Sequence, residues 1–247
     1  MKRYFMELSY NGAPFNGWQI QPSAPTVQQE LEKALSPILR SKTNIVGCGR
    51  TDSGVHASQF FAHFESSENL DFDALTFKLN CMVSREVAVH KIFEVPSDLH
   101  ARFSATARTY HYFINQVKDA FNFDQSWFMH ANLNIGIMNQ ACEHLIGKQD
   151  FTSFSKLHTQ TRTNLCTISK AAWKVDGNKL KFEITADRFL HNMVRSIVGT
   201  TIDVGKGKIS PEEFKLIIAA KDRQKAGTSV PAQGLFLAKI EYPNVGQ

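Results

Sequence analysis

The stretch from Gly47 to Ala57 contains the residues of this sequence best suited to chemistry. It reads Gly-Cys-Gly-Arg-Thr-Asp-Ser-Gly-Val-His-Ala, the densest cluster of glycine, charge and small polar side chains in the chain. Its one carboxylate, Asp52, lies between glycines, which adopt backbone conformations that other residues resist. Arg50 is near enough in sequence to keep that carboxylate ionised. Asp52 is therefore a candidate reactive carboxylate.

A structural interpretation of the same loop competes with the catalytic one. Aspartate is common in turns, where its side chain bonds nearby backbone groups, and from these residues alone that interpretation is favoured. His56 could act as an acid or base, but a histidine entering a strand is more often a hydrogen-bonded structural residue. Cys48 has no identifiable histidine partner, so we interpret it as a small buried residue.

Other familiar catalytic and cofactor motifs are missing from the sequence. The histidines show no H-E-x-x-H or other ligand spacing, and there is no phosphate loop, dinucleotide-binding turn or G-x-S-x-G elbow. The sequence thus predicts no metal and no cofactor. The four cysteines are widely separated, which favours reduced structural thiols over a disulfide framework.

Composition indicates a globular protein with a basic second half. The 247 residues are 43% hydrophobic, enough to bury a core. Residues 126–247 contain 16 Lys and Arg against 10 Asp and Glu, whereas residues 1–125 contain 12 against 13. Such an excess suits a polyanionic partner, above all nucleic acid. The first residues lack the apolar run of a signal peptide and no stretch approaches a membrane span, so we expect a cytoplasmic protein without membrane contact.

The elements around the candidate loop are predicted from the spacing of apolar residues. Residues 2–10 alternate as a strand with one buried face, and residues 58–65 predict a strand that holds the loop directly. A helical stripe with Thr26 as N-cap predicts a helix over residues 27–40, which Pro37 should kink or end early.

The rest of the chain mixes hairpins with single strands and helices. The predicted elements are a short helix at 72–79, strands at 87–95 and 106–116, a helix at 137–146, an irregular stretch at 150–164, a hairpin of strands 165–175 and 179–186, helices at 190–198 and from 210, and a strand at 235–242. This order predicts an α+β fold on a largely antiparallel sheet. We expect two halves, residues 1–105 with the Asp52 loop and residues 106–247 with the basic charge.

An ordered series of short blocks resembles the tRNA pseudouridine synthase A family over nearly the whole chain. The loop from Gly49 to Ala57 resembles the family's signature. Further blocks that look like the family's, in the same order, are Tyr10–Gly12, Phe15–Gln19, Thr26–Gln28, Ala107–Tyr112, Asp150–Phe154, Phe189–Arg195 and Gly234–Leu237. Ser53 departs from a frequent alanine, and residues 79–83 and 230–233 depart from the family's usual loops.

The resemblance implies a fold and an activity. The fold is that of pseudouridine synthases, with two α/β halves on a largely antiparallel mixed sheet and a central active-site cleft. The activity is the isomerisation of uridine to pseudouridine in the tRNA anticodon stem-loop, at tRNA positions 38, 39 and 40. The family resemblance also implies a homodimer that needs neither a metal nor a small-molecule cofactor. Because a stacked base cannot react, the uridine must be flipped into a pocket.

The resemblance also assigns roles to individual residues. Asp52 is matched to a carboxylate that attacks covalently or stabilises charge, and Arg195 to the cation that keeps it ionised. Tyr110 is matched to the ring on which the flipped base stacks, and its phenol could help move the C5 proton. Arg50 is reassigned to a phosphate contact or to the space left by the base, and Leu235 to the pocket wall.

Basic residues of the second half are candidates for contacts with the RNA backbone, although each one alone is better explained as a solvated surface residue. They are Lys156, Arg162, Lys170, Lys174, Lys179 and Lys181.

Two other functions stay open. One is a non-catalytic tRNA-binding or tRNA-folding protein on the same scaffold, and the presence of both Asp52 and Arg195 favours the isomerase over it. The other is a hydrolase with an aspartate nucleophile that acts on a small substrate. The basic second half and the lack of metal-binding acids weigh against the hydrolase.

Overall fold

The computed structural model describes residues 1–156 and 163–243, within which the chain forms ten strands and five α-helices. The strands are β1 Lys2–Tyr10, β2 Val46–Gly47, β3 His56–Ser66, β4 Val87–Val95, β5 Ala107–Asn115, β6 Trp127–Phe128, β7 Gly147–Asp150, β8 Leu165–Asp176, β9 Lys179–Ala186 and β10 Leu235–Glu241. The helices are α1 Val27–Ile38, α2 Phe72–Met82, α3 Ile135–Glu143, α4 Met193–Gly205 and α5 Pro211–Ala220. In these described ranges, no helix has the length and apolar character that crossing a membrane requires.

The chain clusters into two compact units. One comprises Met1–Thr106 with Phe236–Gln247, and the other comprises Ala107–Leu235. The sequence division assigned the last strand to the second half, whereas β10 pairs in parallel with β3 and clusters with the first unit. This pairing joins residues far apart in the chain, and such contacts leave no trace in local composition or periodicity.

The first unit is an antiparallel arrangement extended by one parallel strand. Its strand order is β4-β1-β3-β10, with β2 added to β3. Strand β1 lies between β3 and β4 and is antiparallel to both. The expectation that β1 buries one face is wrong at Phe5, which is fully buried like its neighbours Tyr4 and Met6. The second face is closed because the rings of Phe61 and Tyr242 pack against Phe5.

Helix α1 begins as predicted and ends early, as expected from its proline. The Thr26 side chain accepts a hydrogen bond from the Gln29 backbone N–H at 3.3 Å, and α1 starts at the next residue, Val27. Pro37 is the second-last residue of the helix, which ends at Ile38. Proline has no backbone N–H and its ring clashes with the carbonyl of the residue four positions earlier, so it disrupts the helical turn that contains it.

The second unit is a hairpin-rich sheet with helices packed on it. Its strand order is β5-β9-β8-β7, all antiparallel, and β6 adds to β5 in parallel. Gly177, with φ +56°, lies in the turn of the predicted β8–β9 hairpin. Helix α3 packs on β8 and α4, and the Trp173 indole N–H donates to the Thr201 hydroxyl of α4 at 3.2 Å. The predicted α+β class and the largely antiparallel pairing are confirmed.

The stretch around residue 150 differs from its prediction as a polar irregular segment. Helix α3 ends at Glu143, and Gly147, with φ +100°, begins strand β7. A 3-10 turn then spans Thr152–Phe154, and the rings of Phe151 and Phe154 are fully buried. These two buried aromatic rings attach the segment to the core, which its mostly polar composition did not indicate. Arg162, a predicted RNA contact, lies outside the described residues.

Candidate active site

Asp52 begins a tight turn that leads into β3. The Val55 backbone N–H donates to the Asp52 carbonyl oxygen at 3.2 Å, and Gly54, between them, has φ +75°. That conformation favours glycine, because a side chain would be strained there. The turn of the structural interpretation is thus present, but a main-chain hydrogen bond closes it. The Asp52 side chain is half-buried.

The segment that follows β1 supports this turn from behind. The Trp18 backbone N–H donates to the Thr51 carbonyl oxygen at 3.3 Å, and the Gly54 N–H donates to the Phe15 carbonyl oxygen at 3.2 Å. The Tyr10 hydroxyl lies 2.9 Å from the Thr51 hydroxyl, in a buried hydrogen bond. Residues on both sides of Asp52 are therefore tied to one neighbouring segment. The sequence blocks around Tyr10 and Phe15 matched the family, but sequence reasoning gave them no role.

Two glycines of the supporting segment allow the backbones to touch. A Cβ atom at Gly12 would lie 2.0 Å from the Val55 carbonyl oxygen, and one at Gly17 would lie 2.3 Å from the Thr51 carbonyl oxygen. Real side chains do not fit at such distances. A Cβ atom at Gly49, in the loop itself, would meet no atom within 4 Å, so close packing does not explain the glycine at that position.

His56 and Cys48 have structural roles, as predicted. His56 is 1% exposed, its Nδ1 accepts the Gly12 backbone N–H at 3.1 Å, and its ring stacks on Phe236 with centroids 4.5 Å apart. Cys48 is also 1% exposed, and its backbone N–H donates to the Phe61 carbonyl oxygen. Both residues hold the ends of the loop.

The exposed residues of the loop are Arg50 and Ser53. The Ser53 hydroxyl lies 3.4 Å from the Phe15 carbonyl oxygen and 3.5 Å from Asn16 Oδ1, at the limit of hydrogen bonding. Arg50 presents its side chain to solvent two residues before Asp52, a position from which it can reach a bound polyanion.

In the second unit, Arg195 lies in the first turn of α4 and is held by a distant segment. Its Nε–H donates to the Val230 carbonyl oxygen at 2.8 Å, and the Val230 backbone N–H donates to the Arg195 carbonyl oxygen at 3.2 Å. Val230 is 4% exposed and Arg195 is half-buried. The contacts differ from those of an ordinary surface arginine on an amphipathic helix, because a buried partner fixes the guanidinium.

Tyr110 lies on the core face of β5, in the part of the strand where side chains become partly exposed. It pairs with Ile184 of β9, and its ring meets Phe189 edge-to-face with centroids 5.1 Å apart. Tyr112 and Ile114, on the same face, are fully buried, while Tyr110 is half-buried. The predicted orientation is confirmed, and the partial exposure leaves one part of the ring accessible.

Leu235 is the first residue of β10 and is 6% exposed. Gly234, directly before it, packs so closely that a Cβ there would lie 2.7 Å from the Tyr112 ring. Leu235 therefore directly follows a glycine that packs tightly on the Tyr112 ring, and its own apolar side chain is nearly buried.

Two predicted RNA contacts are already engaged by a carboxylate that sequence reasoning missed. Glu183 forms ion pairs with Lys170 and with Lys181 (3.1 Å), and His111 Nε2 lies 3.1 Å from the same carboxylate. The Lys170 hydrogen bond is the main cause that lowers the pKa of Glu183 to about 2. The signal that could have found it is the alternation of charged residues along the second face of β9. Lys156, Lys174 and Lys179 are exposed.

Within residues 1–156 and 163–243, no group of three or more His, Cys, Asp or Glu side chains is placed so that it could hold a metal ion. The site chemistry available in the described units is therefore that of one loop carboxylate, one anchored guanidinium, one accessible phenol ring and surface cations.

Comparison with known proteins gives consistent descriptions over the length of the chain. A family model described as tRNA pseudouridine synthase matches residues 141–243. A protein named tRNA pseudouridine synthase A from Parabacteroides distasonis is 50% identical over 98% of this chain and 97% of its own length. Proteins of the same name from Bacteroides fragilis and Bacillus subtilis are 49% and 41% identical, over 98% and 96% of this chain and 97% and 98% of their own lengths.

A solved structure titled "Crystal Structure of a Cbf5-Nop10-Gar1 Complex" matches 81% of this chain and 54% of that chain, with a TM-score of 0.33 and 10% identity. That similarity is too low to carry information about this chain.

Proposed function

Because the chain belongs to the tRNA pseudouridine synthase A family, and so to the isomerases that form pseudouridine in tRNA, we propose that it acts on the anticodon stem-loop with Asp52 as nucleophile. The family relationship confirms the predicted activity on tRNA and the predicted fold family. The observation that supports the role of Asp52 is its turn, which a main-chain hydrogen bond closes and a neighbouring segment holds, so that the half-buried carboxylate has a fixed position.

The reaction suits a single positioned carboxylate. It breaks the bond from N1 of uracil to C1′ of ribose, turns the base and joins C5 to C1′, while the C5 hydrogen leaves as a proton and N1 gains one. Substrate and product are isomers, so electrons balance without an oxidant or reductant. An ionised Asp52 serves attack at C1′, attack at C6 or elimination through a glycal.

The proposed partners of Asp52 come from the family resemblance and act through charge and stacking. Arg195 keeps the carboxylate ionised, and the Val230 contact at its Nε supports this role because it orients the rest of the guanidinium. Tyr110 stacks on the flipped uracil, and its half-buried ring supports that role. Arg50 contacts phosphate or fills the space left by the base, and Leu235 lines the pocket.

We further propose a homodimer in the cytoplasm, with tRNA as the partner. The family resemblance supports the dimer, and sedimentation of the protein with and without tRNA measures the number of subunits.

The proposed function is tested with tRNA labelled with tritium at C5 of its uridines. The wild-type protein should release tritium from a tRNA with uridine at positions 38, 39 and 40, and much less from the same tRNA with cytidine there. Release from both would place the target outside positions 38, 39 and 40. Tight tRNA binding without release would support the tRNA-binding protein, and neither binding nor release would support the hydrolase.

A further inference from the structure

We propose that Arg223 is a positioning residue for Arg195, and that it acts through segment 226–231, the stretch between the 3-10 turn Arg223–Lys225 and the 3-10 turn Ala232–Gly234. The functional part of this inference rests on the proposed role of Arg195. The structural part is independent of that role, because it concerns how one guanidinium is held.

Arg223 is connected to Arg195 through a series of contacts, and the last of them is between Val230 and Arg195. The Arg195 Nε–H donates to the Val230 carbonyl oxygen at 2.8 Å, and the reverse main-chain hydrogen bond measures 3.2 Å. A guanidinium is planar, so a hydrogen bond at Nε fixes the direction of its two terminal nitrogens. The position of the Val230 carbonyl therefore determines where Arg195 presents its charge.

Arg223 grips the beginning of the same segment. Its Nη1 donates to the carbonyl oxygens of Ala226 and Gly227, each at 3.2 Å, and its Nη2 donates to the Ser229 hydroxyl at 3.1 Å. Among the described residues, no carboxylate forms an ion pair with Arg223, so its guanidinium serves this segment. Three acceptors spread over four residues fit the fork of an arginine better than the single point of a lysine.

The other supports of the segment come from α4 and β5. They are the Gly227 N–H to Thr200 Oγ1 hydrogen bond at 2.9 Å, the Asn192 Nδ2–H to Ser229 Oγ bond at 2.6 Å, the Tyr112 O–H to Pro231 O bond at 2.9 Å, and the close packing of Thr228 O on Gly199. Burial raises the pKa of Tyr112, so its hydroxyl remains a donor at neutral pH. Loss of Arg223 should therefore loosen the segment without detaching it, which leaves the fold intact.

The kinetic test compares Arg223→Gln with Lys225→Gln. Lys225 lies in the same 3-10 turn, is exposed, and its side chain makes no hydrogen bond or ion pair within residues 1–156 and 163–243, so its substitution removes the same charge without touching the segment. At saturating tRNA, Arg223→Gln should lower the single-turnover rate by about 10-fold, with tRNA affinity and melting temperature close to those of the control. In the Arg195→Lys background, which has no Nε, Arg223→Gln should cause no further loss.

A second measurement does not depend on activity. In spectra of arginine Nε–H groups, the Arg195 signal is identified by its loss in Arg195→Lys. Its proton should exchange with water at least about 10-fold faster in Arg223→Gln than in wild type, and at the wild-type rate in Lys225→Gln.

Unchanged exchange and an unchanged rate in Arg223→Gln would overturn the inference, as would an equal loss of rate in the Arg195→Lys background. A wild-type protein that forms no pseudouridine would instead overturn the proposed function, and the exchange measurement would still decide how Arg195 is held.

Discussion

The loop of Asp52 and the helix of Arg195 are held in place by different kinds of contact. The loop rests on main-chain atoms of the segment just after β1, where Gly12 and Gly17 let two backbones touch. Arg195 is held by its own side chain, through a hydrogen bond to Val230, 35 positions further along the chain. Main-chain contacts dominate the first support, although the Tyr10 and Thr51 hydroxyls add to it. Side-chain hydrogen bonds dominate the second support, although the close packing of Thr228 O on Gly199 adds to it.

This difference determines how each support fails. Two touching backbones have no room to adjust, so any added Cβ must displace the loop. When one contact of a segment with several contacts is lost, the remaining contacts keep the segment near its place. A side-chain hydrogen bond to that segment is therefore weakened only in part by each substitution. The Asp52 loop should therefore respond sharply to small substitutions, and the Arg195 support gradually.

Among changes to the two supports, the largest effect is expected for Gly17→Ala. The residue has φ +83°, and its new Cβ would lie 2.3 Å from the Thr51 carbonyl oxygen, next to Asp52. We expect pseudouridine formation to fall by about 100-fold, since an error of about 1 Å in position has that effect. The free energy of unfolding should fall by about 2–4 kcal/mol, measured by urea denaturation.

Gly49→Ala is the matched control for this prediction. Gly49 lies in the Asp52 loop and has open space around its Cβ position, so the substitution should leave activity within about twofold. Equal losses in both variants would contradict the view that backbone contact fixes the loop.

A smaller effect is expected for Gly199→Ala in α4. Its Cβ would lie 1.9 Å from the Thr228 carbonyl oxygen and push segment 226–231 away from the helix. Activity should fall by about 10-fold, because the clash is with Thr228 and the other contacts of the segment limit the displacement of Val230, two residues further on. Gly136→Ala in α3 is the control, with its nearest contact at 3.4 Å, and should stabilise the protein slightly through helix propensity. A loss as large as that of Gly17→Ala would remove the contrast between the two supports.

His63 of the first unit and Glu183 of the second should also lower stability in different pH ranges. His63 of the first unit is 5% exposed, and burial lowers its pKa from 6.5 to about 4. The unfolded chain therefore binds a proton first, and stability should fall by up to about 3 kcal/mol as the pH drops from about 6.5 to 4. Denaturation curves of His63→Asn should lack this loss, while exposed His90→Asn should keep it.

Glu183 of the second unit acts at lower pH. Its pKa is lowered from 4.5 to about 2, so the stability that its ion pairs provide is complete above about pH 4.5 and is lost as the pH falls to about 2. The loss should be about 1–2 kcal/mol, since Lys170 is 51% exposed and solvent screens the pair. Glu183→Gln should remove this loss below about pH 4.5. A single common pH range for both variants would contradict the assignment.

The constrained loop of Asp52 could be foreseen from the sequence, whereas the contacts that support the loop and those that support Arg195 could not. Glycines in a short stretch around Asp52 mark a constrained loop, and alternation around residue 60 predicts the strand that it enters. These signals are local, so they survive in the sequence. The hydrogen bond from the segment after β1 to Thr51 is not predicted by these signals, although the sequence blocks of that segment resemble those of the family.

The support of Arg195 depends on contacts between distant residues. Nothing near Arg195 in sequence indicates Val230, Arg223 or Tyr112, and the pairing of β10 with β3 was missed for the same reason. The ion pairs of Glu183 were also missed, because Lys170 and Lys181 were each considered as isolated surface charges. Local patterns predicted the elements, and long-range hydrogen bonds arranged them.

The central claim, that the Asp52 carboxylate is the reacting group in a loop shaped by backbone contacts, is tested most directly by Asp52→Asn beside Ser53→Ala. Both positions lie in one turn, and Ser53 is exposed with only marginal hydrogen bonds. In single-turnover assays on anticodon stem-loop tRNA, Asp52→Asn should lower the rate by about 10⁴-fold or more, with tRNA affinity and melting temperature preserved. Ser53→Ala should match wild type. A rate for Asp52→Asn within about 10-fold of wild type would contradict the account.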